Sequence, residues 1–510
     1  MRPFHVLLFL ILVFGLGAVV AAVWPKEGMR ITNDWSLKFA SLDGLLSQDR
    51  SNDINVDSLL ASYEIEFDST DIKDSLRLAQ IAHRQRMLRI QYADTSVGLW
   101  RFFKKLDKRK QGVGKVRILH YGDSQIEGDR ITSVIRNGLQ KEFGGSGPGY
   151  MAASPLVNSF SVSNQRTGNW RRYPVFGNQD TTLNHNHFGM HGVFSRFTPF
   201  PTMDTVYQDT IRTQITSAEG VARDTAFVPD PIVRKVLAYD STVKATVNIS
   251  PSKIGYYSSR RYTRMTILFR NPDAPFKLTV TLSDSTKAVR NFPTNAYTQE
   301  YKQSFVKSPE NIRLEFEAVS SPDIYGIRLE NDYGIVMDNI PMRGSSGTYF
   351  GKINHAEMAT QFADANADLI ILQFGGNTVP YMPDEERVER YGNWFASQIR
   401  YLKRMNPQAN FVFIGPSDMS MKDGLDYVTY PLLPYIRDVL RTAALDNGCG
   451  FWDMFEVMGG KNSMPSWVAA DPPLAAPDYV HFTRQGARKI AELFHEALMK
   501  DYEDWRNSNE

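Results

Sequence analysis

The sequence predicts an α/β fold, a parallel sheet flanked by helices, interrupted by an inserted β-sandwich and preceded by a helical lead-in. Three observations carry this. Val116 to Phe143 reads as a buried strand, a turn and an amphipathic helix ("VRILHYGDS", then "ITSVIRNGLQKEF"), the opening unit of an α/β domain. The same rhythm resumes at "YGIVMDNI" and runs to the C-terminus. Between them, residues 151–332 are rich in Thr, Ser, Val, Tyr and Phe in short alternating runs bounded by Pro, Asn and Asp, which is a β pattern.

Taken in order, the chain opens with an uncharged apolar run, Val6 to Trp24. Val20-Ala21-Ala22 offers a cleavage site and the run is also long enough to span a bilayer, so residues 1–24 read as a signal peptide or a membrane anchor. Either role puts the remainder in the periplasm or at the cell surface. Residues 25–115 place apolar side chains three and four apart, as in "DSLRLAQIAHRQRMLRIQYA" and "VGLWRFFKKLDKR", and form the helical lead-in. Residues 116–150 are the first part of the α/β domain and 151–332 the sandwich, with strands at "TRMTILFR", "FKLTVTLSD" and "NIRLEFEAV". Residues 333–510 complete the domain: strands "ADLIILQFG" and "NFVFIGPSD", helices at "DEERVERYGNWFASQIRYLKRM", near Tyr435 to Asn447, and at "RQGARKIAELFHEALMKDY".

With 510 residues, 42% hydrophobic and 12% aromatic, the chain has material for a large core and two or three domains. Lys and Arg number 58 against 56 Asp and Glu, without long like-charge runs, so nothing marks a nucleic-acid surface. The single cysteine, Cys449, excludes an intramolecular disulfide and reads as a buried thiol.

"LHYGDSQIEGDR" contains a serine whose neighbours, Asp and Ser, also suit a helix cap. A serine nucleophile needs a base, a group that holds the base, and donors for the oxyanion. "PDYVHFT" supplies a candidate pair, with Asp478 three residues before His481 in a loop ahead of the last helix. "MRGSSGTYF" can turn an amide toward the site, that of Gly347 first and Gly344 as its rival. "LQFGGNT" presents the side-chain amide of Asn377. Both segments follow predicted strands, where open α/β sheets bind ligands.

These four blocks, in this order, resemble the SGNH hydrolase family, also called GDSL esterases, whose sheet is flavodoxin-like. The resemblance covers about Val116 to Gly149 and Tyr333 to Lys500 and implies Ser124 as nucleophile, Asp478 and His481 as its partners, and Ser124, Gly347 and Asn377 as the oxyanion hole. Two positions depart from the family pattern: Thr378 stands where the third block usually has Asp, and Met342 where the second often has Asn. The placement of the sandwich and the stretch "GDSQIEGDRIT…GGSGPGY" are similar to bacterial peptidoglycan O-acetylesterases with an inserted carbohydrate-binding-like domain. That resemblance implies an extracytoplasmic, cofactor-free and metal-independent esterase acting on an acetylated polysaccharide or peptidoglycan. The same residues would also serve an O-acetyltransferase, and a chain with the fold alone would be a glycan-binding protein.

Trp170, Tyr173, Tyr256, Tyr257 and Tyr262 are the aromatic candidates for stacking on sugars. His185, His187 and His191 lie close together but lack a carboxylate or cysteine at a metal-binding spacing. Asp471 and Asp453 stand behind Asp478 as alternatives for the acid. Ser124 is expected at a helix start, where the positive end of the helix would favour an oxyanion.

Overall fold

The computed structural model describes residues 88–94, 98–183, 185–215 and 223–509, together with 29–32, 35–37 and positions 12 and 19. The apolar run Val6–Trp24, apart from Leu12 and Val19, and most of the lead-in lie outside these residues. Among the described residues, no helix is long and apolar enough to cross a membrane.

Five parallel strands form the central sheet, in the spatial order Gly334–Pro341, Lys115–Gly122, Leu369–Gln373, Asn410–Ile414 and Gly450–Trp452. The Lys115–Gly122 strand is buried at every position after Lys115, as a parallel strand covered on both faces must be. Its side chains alternate: Val116 and Ile118 join one core, Leu119 and Tyr121 the other. The first core takes the apolar faces of helices Trp100–Lys110, Thr132–Phe143 and Arg484–Asn507, and the second those of His355–Ala365, Glu385–Met405 and Leu433–Asp446. Glu385–Met405 follows the rules of its sequence. Asp384 accepts the N–H of Arg387, two glutamates occupy the first turn, and Lys403 and Arg404 the last.

The antiparallel insertion begins with Gly149–Met151 and ends with its direct neighbour Asp323–Glu330, so the chain leaves and re-enters the α/β part at one place. Its two sheets are Lys287–Phe292, Phe276–Leu282, Ile312–Ala318, Val243–Pro251 and Val162–Thr167, against Asn295–Ser304, Arg264–Asn271, Asp323–Glu330, Val193–Arg196 and Arg171–Pro174. Val247, Ile267, Phe269, Phe316 and Ile327 lie in the core between them. A long ribbon, Thr202–Ile215 with Arg223–Val236, forms a separate two-stranded sheet. At the junction, buried Arg117 donates to Glu330 (2.6 Å) and Asp338 (2.9 Å), and Asp338 also accepts the N–H of Tyr150. Burial alone would raise Glu330, but Arg117 and Lys115 beside it hold its carboxyl down to about 2.

One part of the lead-in differs from expectation. The end of the run read as helix, Leu88–Ala93, is not helical: Gln91 exchanges both backbone hydrogen bonds with Phe451 (2.7 and 2.9 Å), and the carbonyl of Leu88 accepts the indole N–H of Trp452. The open edge of the Gly450–Trp452 strand needs partners for its backbone, and that demand outweighs the helical spacing at Leu88–Tyr92. The second lead-in helix forms at Trp100–Lys110.

Candidate active site

Gly122, Pro341 and Gln373 lie abreast at the carboxyl ends of three adjacent strands, and the loops that follow them meet there. Asp123 turns the chain out of the first strand, its Oδ1 accepting the N–H of Gln125 at 2.9 Å. Ser124 then opens a short 3-10 turn, Ser124–Asp129, kinked at Glu127 and at Gly128, whose φ is +67°. The long helix starts only at Thr132. The expected contribution of a long helix dipole at Ser124 is therefore absent, because that effect fades within the first turn.

Ser124 Oγ lies 2.9 Å from His481 Nε2, and His481 Nδ1 lies 2.8 Å from Asp478 Oδ2. Asp478 Oδ1 also accepts the N–H groups of Val480 and His481, each at 3.0 Å. Partial burial would raise the Asp478 carboxyl, but the backbone and ring N–H of His481 outweigh it and hold it below the usual carboxylate range. An ionised Asp478 accepts the Nδ1–H hydrogen bond and so favours the tautomer protonated at Nδ1, which leaves the lone pair of Nε2 facing the serine.

Two residues of the Ser124 segment stitch it to the His481 loop. Gln125 donates to the carbonyl of Val480 (2.8 Å), and Arg130 donates to the carbonyls of Ser124 (2.6 Å) and Phe482 (3.1 Å). On the other side stands a hairpin, Ser420–Asp423 with Asp426–Thr429. Its Tyr427 ring lies flat on Tyr479 at 3.5 Å and 6°, and Ser420 N–H donates to the Tyr479 carbonyl. Tyr479 has φ +57°, so these contacts hold a backbone shape that a tyrosine disfavours.

Asn377 Nδ2 donates to Asp123 Oδ2 (3.0 Å) and to the Ser345 carbonyl (3.2 Å), which fixes the amide at the lip of the serine turn. Burial pushes Asp123 up to about 6, against the opposing pull of the Gln125 N–H and of His481. Gly347 and Gly344 part company. The N–H of Gly347 donates to Ser345 Oγ, and a Cβ there would lie 2.8 Å from the Phe374 ring, so this glycine faces the core. Gly344 is exposed, its nearest neighbour in that direction being Phe176 at 3.6 Å, and its N–H has no acceptor among the described residues. It lies between Arg343, paired with Glu127, and Ser345, tied to Asn377.

Ser124, Asn377 and His481 open onto a cavity of about 180 Å³ walled by Phe374, Pro416 and Met419. Asp453 is committed elsewhere, capping the Glu456 N–H and pairing with Arg437, while Asp471 is exposed in the preceding loop. Burial pushes the Cys449 thiol up to about 12, an inert state.

Three of the insertion's candidates, Trp170, Tyr173 and Tyr262, are used for packing. Tyr173 and Tyr262 are 3% exposed, and Trp170 rests on Phe197 and Phe316 with its N–H bound to backbone carbonyls. Tyr256 is half-buried; Tyr257 is open to solvent. The three histidines do not converge: His185 faces Asp323 (3.6 Å), His187 faces Glu357 (3.7 Å), and His191 stacks on Tyr150. Among the described residues, no three His, Cys, Asp or Glu side chains are grouped as a metal site.

Residues 312–489 match the GDSL-like Lipase/Acylhydrolase family. The match starts in the insertion and excludes the Ser124 segment, as a domain split by an insertion requires. A solved structure described as a peptidoglycan O-acetylesterase in action is 22% identical, covers 81% of this chain and 99% of its own, and superposes with a TM-score of 0.58. A family two carbohydrate esterase from Clostridium thermocellum, in complex with cellohexaose, is 12% identical over 59% of this chain and 100% of its own, with a TM-score of 0.24. No curated protein matches the sequence. The chain carries a GDSL-like hydrolase domain with the fold of the first of these structures.

Proposed function

We propose that this chain is an extracytoplasmic serine esterase that removes O-acetyl groups from a cell-wall or surface polysaccharide. The observation that carries the reading is the unbroken path Ser124 Oγ, His481 Nε2, His481 Nδ1, Asp478 Oδ2, with contacts of 2.9 and 2.8 Å.

His481 Nε2 takes the proton of Ser124 as Oγ attacks the acetyl carbonyl carbon, and Asp478 stabilises the imidazolium that results. The carbonyl oxygen becomes an oxyanion held by the backbone N–H groups of Ser124 and of Gly347 or Gly344, and by Asn377. Gly347 keeps this role with Gly344 as its rival: the Gly347 N–H would exchange Ser345 Oγ for the oxyanion, and the Gly344 N–H has no acceptor to give up among the described residues. Asn377 can exchange the Ser345 carbonyl for the oxyanion, a charged and stronger acceptor. The intermediate collapses, the sugar oxygen leaves with the proton from His481, and water then attacks the acetyl-Ser124 ester with His481 again as base. The His481 side chain is 37% exposed, which supports water as the acceptor over a second sugar.

The test is acetate release by the purified chain from acetylated peptidoglycan, acetylated xylan and an aryl acetate, in parallel with Ser124→Ala. Full activity in Ser124→Ala overturns the mechanism. Acetyl transfer exceeding acetate release when acceptor glycan is added would recast the enzyme as a transferase. The extracytoplasmic location rests on the Val6–Trp24 run, and fractionation of cells expressing the full chain checks it.

A further inference from the structure

The loop that supplies Asn377 continues as Gly376–Tyr381 and ends on an aromatic ring that the sequence analysis passed over. Tyr381 is 80% exposed and lines the same cavity as Ser124 and His481. Its ring makes no ring contact and its hydroxyl no hydrogen bond among the described residues, unlike Tyr427, which is stacked on Tyr479. Its backbone is anchored: Pro380 precedes it, Met382 N–H donates to the Val379 carbonyl, and Val379 is buried in the core. A large amphipathic ring held out on a fixed loop loses apolar contact with nothing in the protein to replace it.

We infer that Tyr381 is a stacking platform for a sugar ring of the substrate, at the mouth of the cleft that holds Ser124. This rests on the glycan-esterase reading above and adds to it a residue that selects the alcohol part of the ester. The axial C–H face of a pyranose is apolar and its rim is hydroxylated, which suits an aromatic plane beside a polar cleft. With one ring laid on Tyr381, the acetyl group reaches into the walls formed by Phe374, Pro416 and Met419. A simple aryl acetate has no sugar to place there. The platform thus belongs to the hydrolase part of the chain, on the same loop as the Asn377 amide, and not to the aromatic residues of the insertion.

Affinity and turnover are read separately. In the full chain carrying Ser124→Ala, calorimetry with an acetylated xylotetraose should show Tyr381→Ala binding about tenfold more weakly, with Tyr381→Trp restoring or exceeding the parent. Unchanged affinity in Tyr381→Ala overturns the platform, as does failure of Tyr381→Trp to recover it. In the chain with Ser124 intact, the same substitution should raise KM for the acetylated oligosaccharide and leave kcat in place. A parallel loss on the aryl acetate would mean that Tyr381 acts on the geometry of Ser124, and overturns the proposal too. The esterase reading stands or falls on acetate release by the parent chain, so the two can fail independently.

Discussion

The hydrolase sheet and the inserted sandwich treat the same kinds of side chain in opposite ways. In the hydrolase part, Asp123, Ser124, Asn377 and His481 sit on loops at the carboxyl ends of parallel strands, turned toward a shared cavity. In the insertion, histidines, arginines and aromatics turn inward: Arg196 and Arg270 close on buried Asp323, and Tyr173 stacks on Phe194. Residue type alone does not separate a reactive cluster from a packed one. The parallel sheet makes the difference, since it brings all its loops to one end while an antiparallel sandwich distributes them over two.

The comparison can be broken most sharply at Ser124. Ser124→Ala should lower kcat/KM on an aryl acetate by at least about 10⁴-fold while thermal unfolding stays that of the parent. Comparable activity in the variant would remove the asymmetry between the two regions. Tyr173→Ala tests the other side: loss of a buried ring in the sandwich should cost about 3–5 kcal/mol in denaturant unfolding, and glycan affinity of the folded fraction should follow the parent. A selective loss of affinity at full stability would return Tyr173 to the glycan-binding set.

Smaller effects sharpen the picture within the site. Asn377→Ala should reduce kcat by about 10²–10³-fold, with Gly347→Ala acting on stability because of the Phe374 ring behind it. The smallest is a pH effect at Asp123, whose carboxyl stands at about 6 in the folded chain against 3.8 when unperturbed. The folded state holds this proton at pH values where the unfolded state has released it, so stability from this group is gained as pH falls from about 6 toward about 4. Asp123→Asn should flatten that slope, on the order of 3 kcal/mol across the window, when unfolding is followed at several pH values. A slope unchanged in the variant would assign the effect to Asp453 or Asp501, both also pushed up to about 6 by burial.

Much of the hydrolase part was legible because its signals are local and redundant. Strand Lys115–Gly122 has a continuous apolar run, Glu385–Met405 has a cap, a charge gradient and a 3.6-residue stripe, and Asp478 and His481 sit in one loop at a spacing the imidazole can span. What was illegible depends on distant partners. Leu88–Ala93 departs from helix only because the Phe451 edge, more than 350 residues later, needs backbone hydrogen bonds. Gly344 and Gly347 look alike until Phe374 and Ser345 show which one faces the core. Tyr381 reads as an ordinary loop residue, and no pattern in "NTVPY" says that its ring borders the Ser124 cavity.

The strand that carries Ser124 lies between Gly334–Pro341 and Leu369–Gln373, both of which follow the insertion. Emerging from the ribosome, it has no partner for either edge until the whole sandwich has been made. The sandwich can close on its own strands in the meantime, ahead of the sheet that positions Ser124. Until Pro341 and then Gln373 appear, an apolar strand with open edges must be kept from pairing with other chains, and the high sequence separation favours late formation of this sheet.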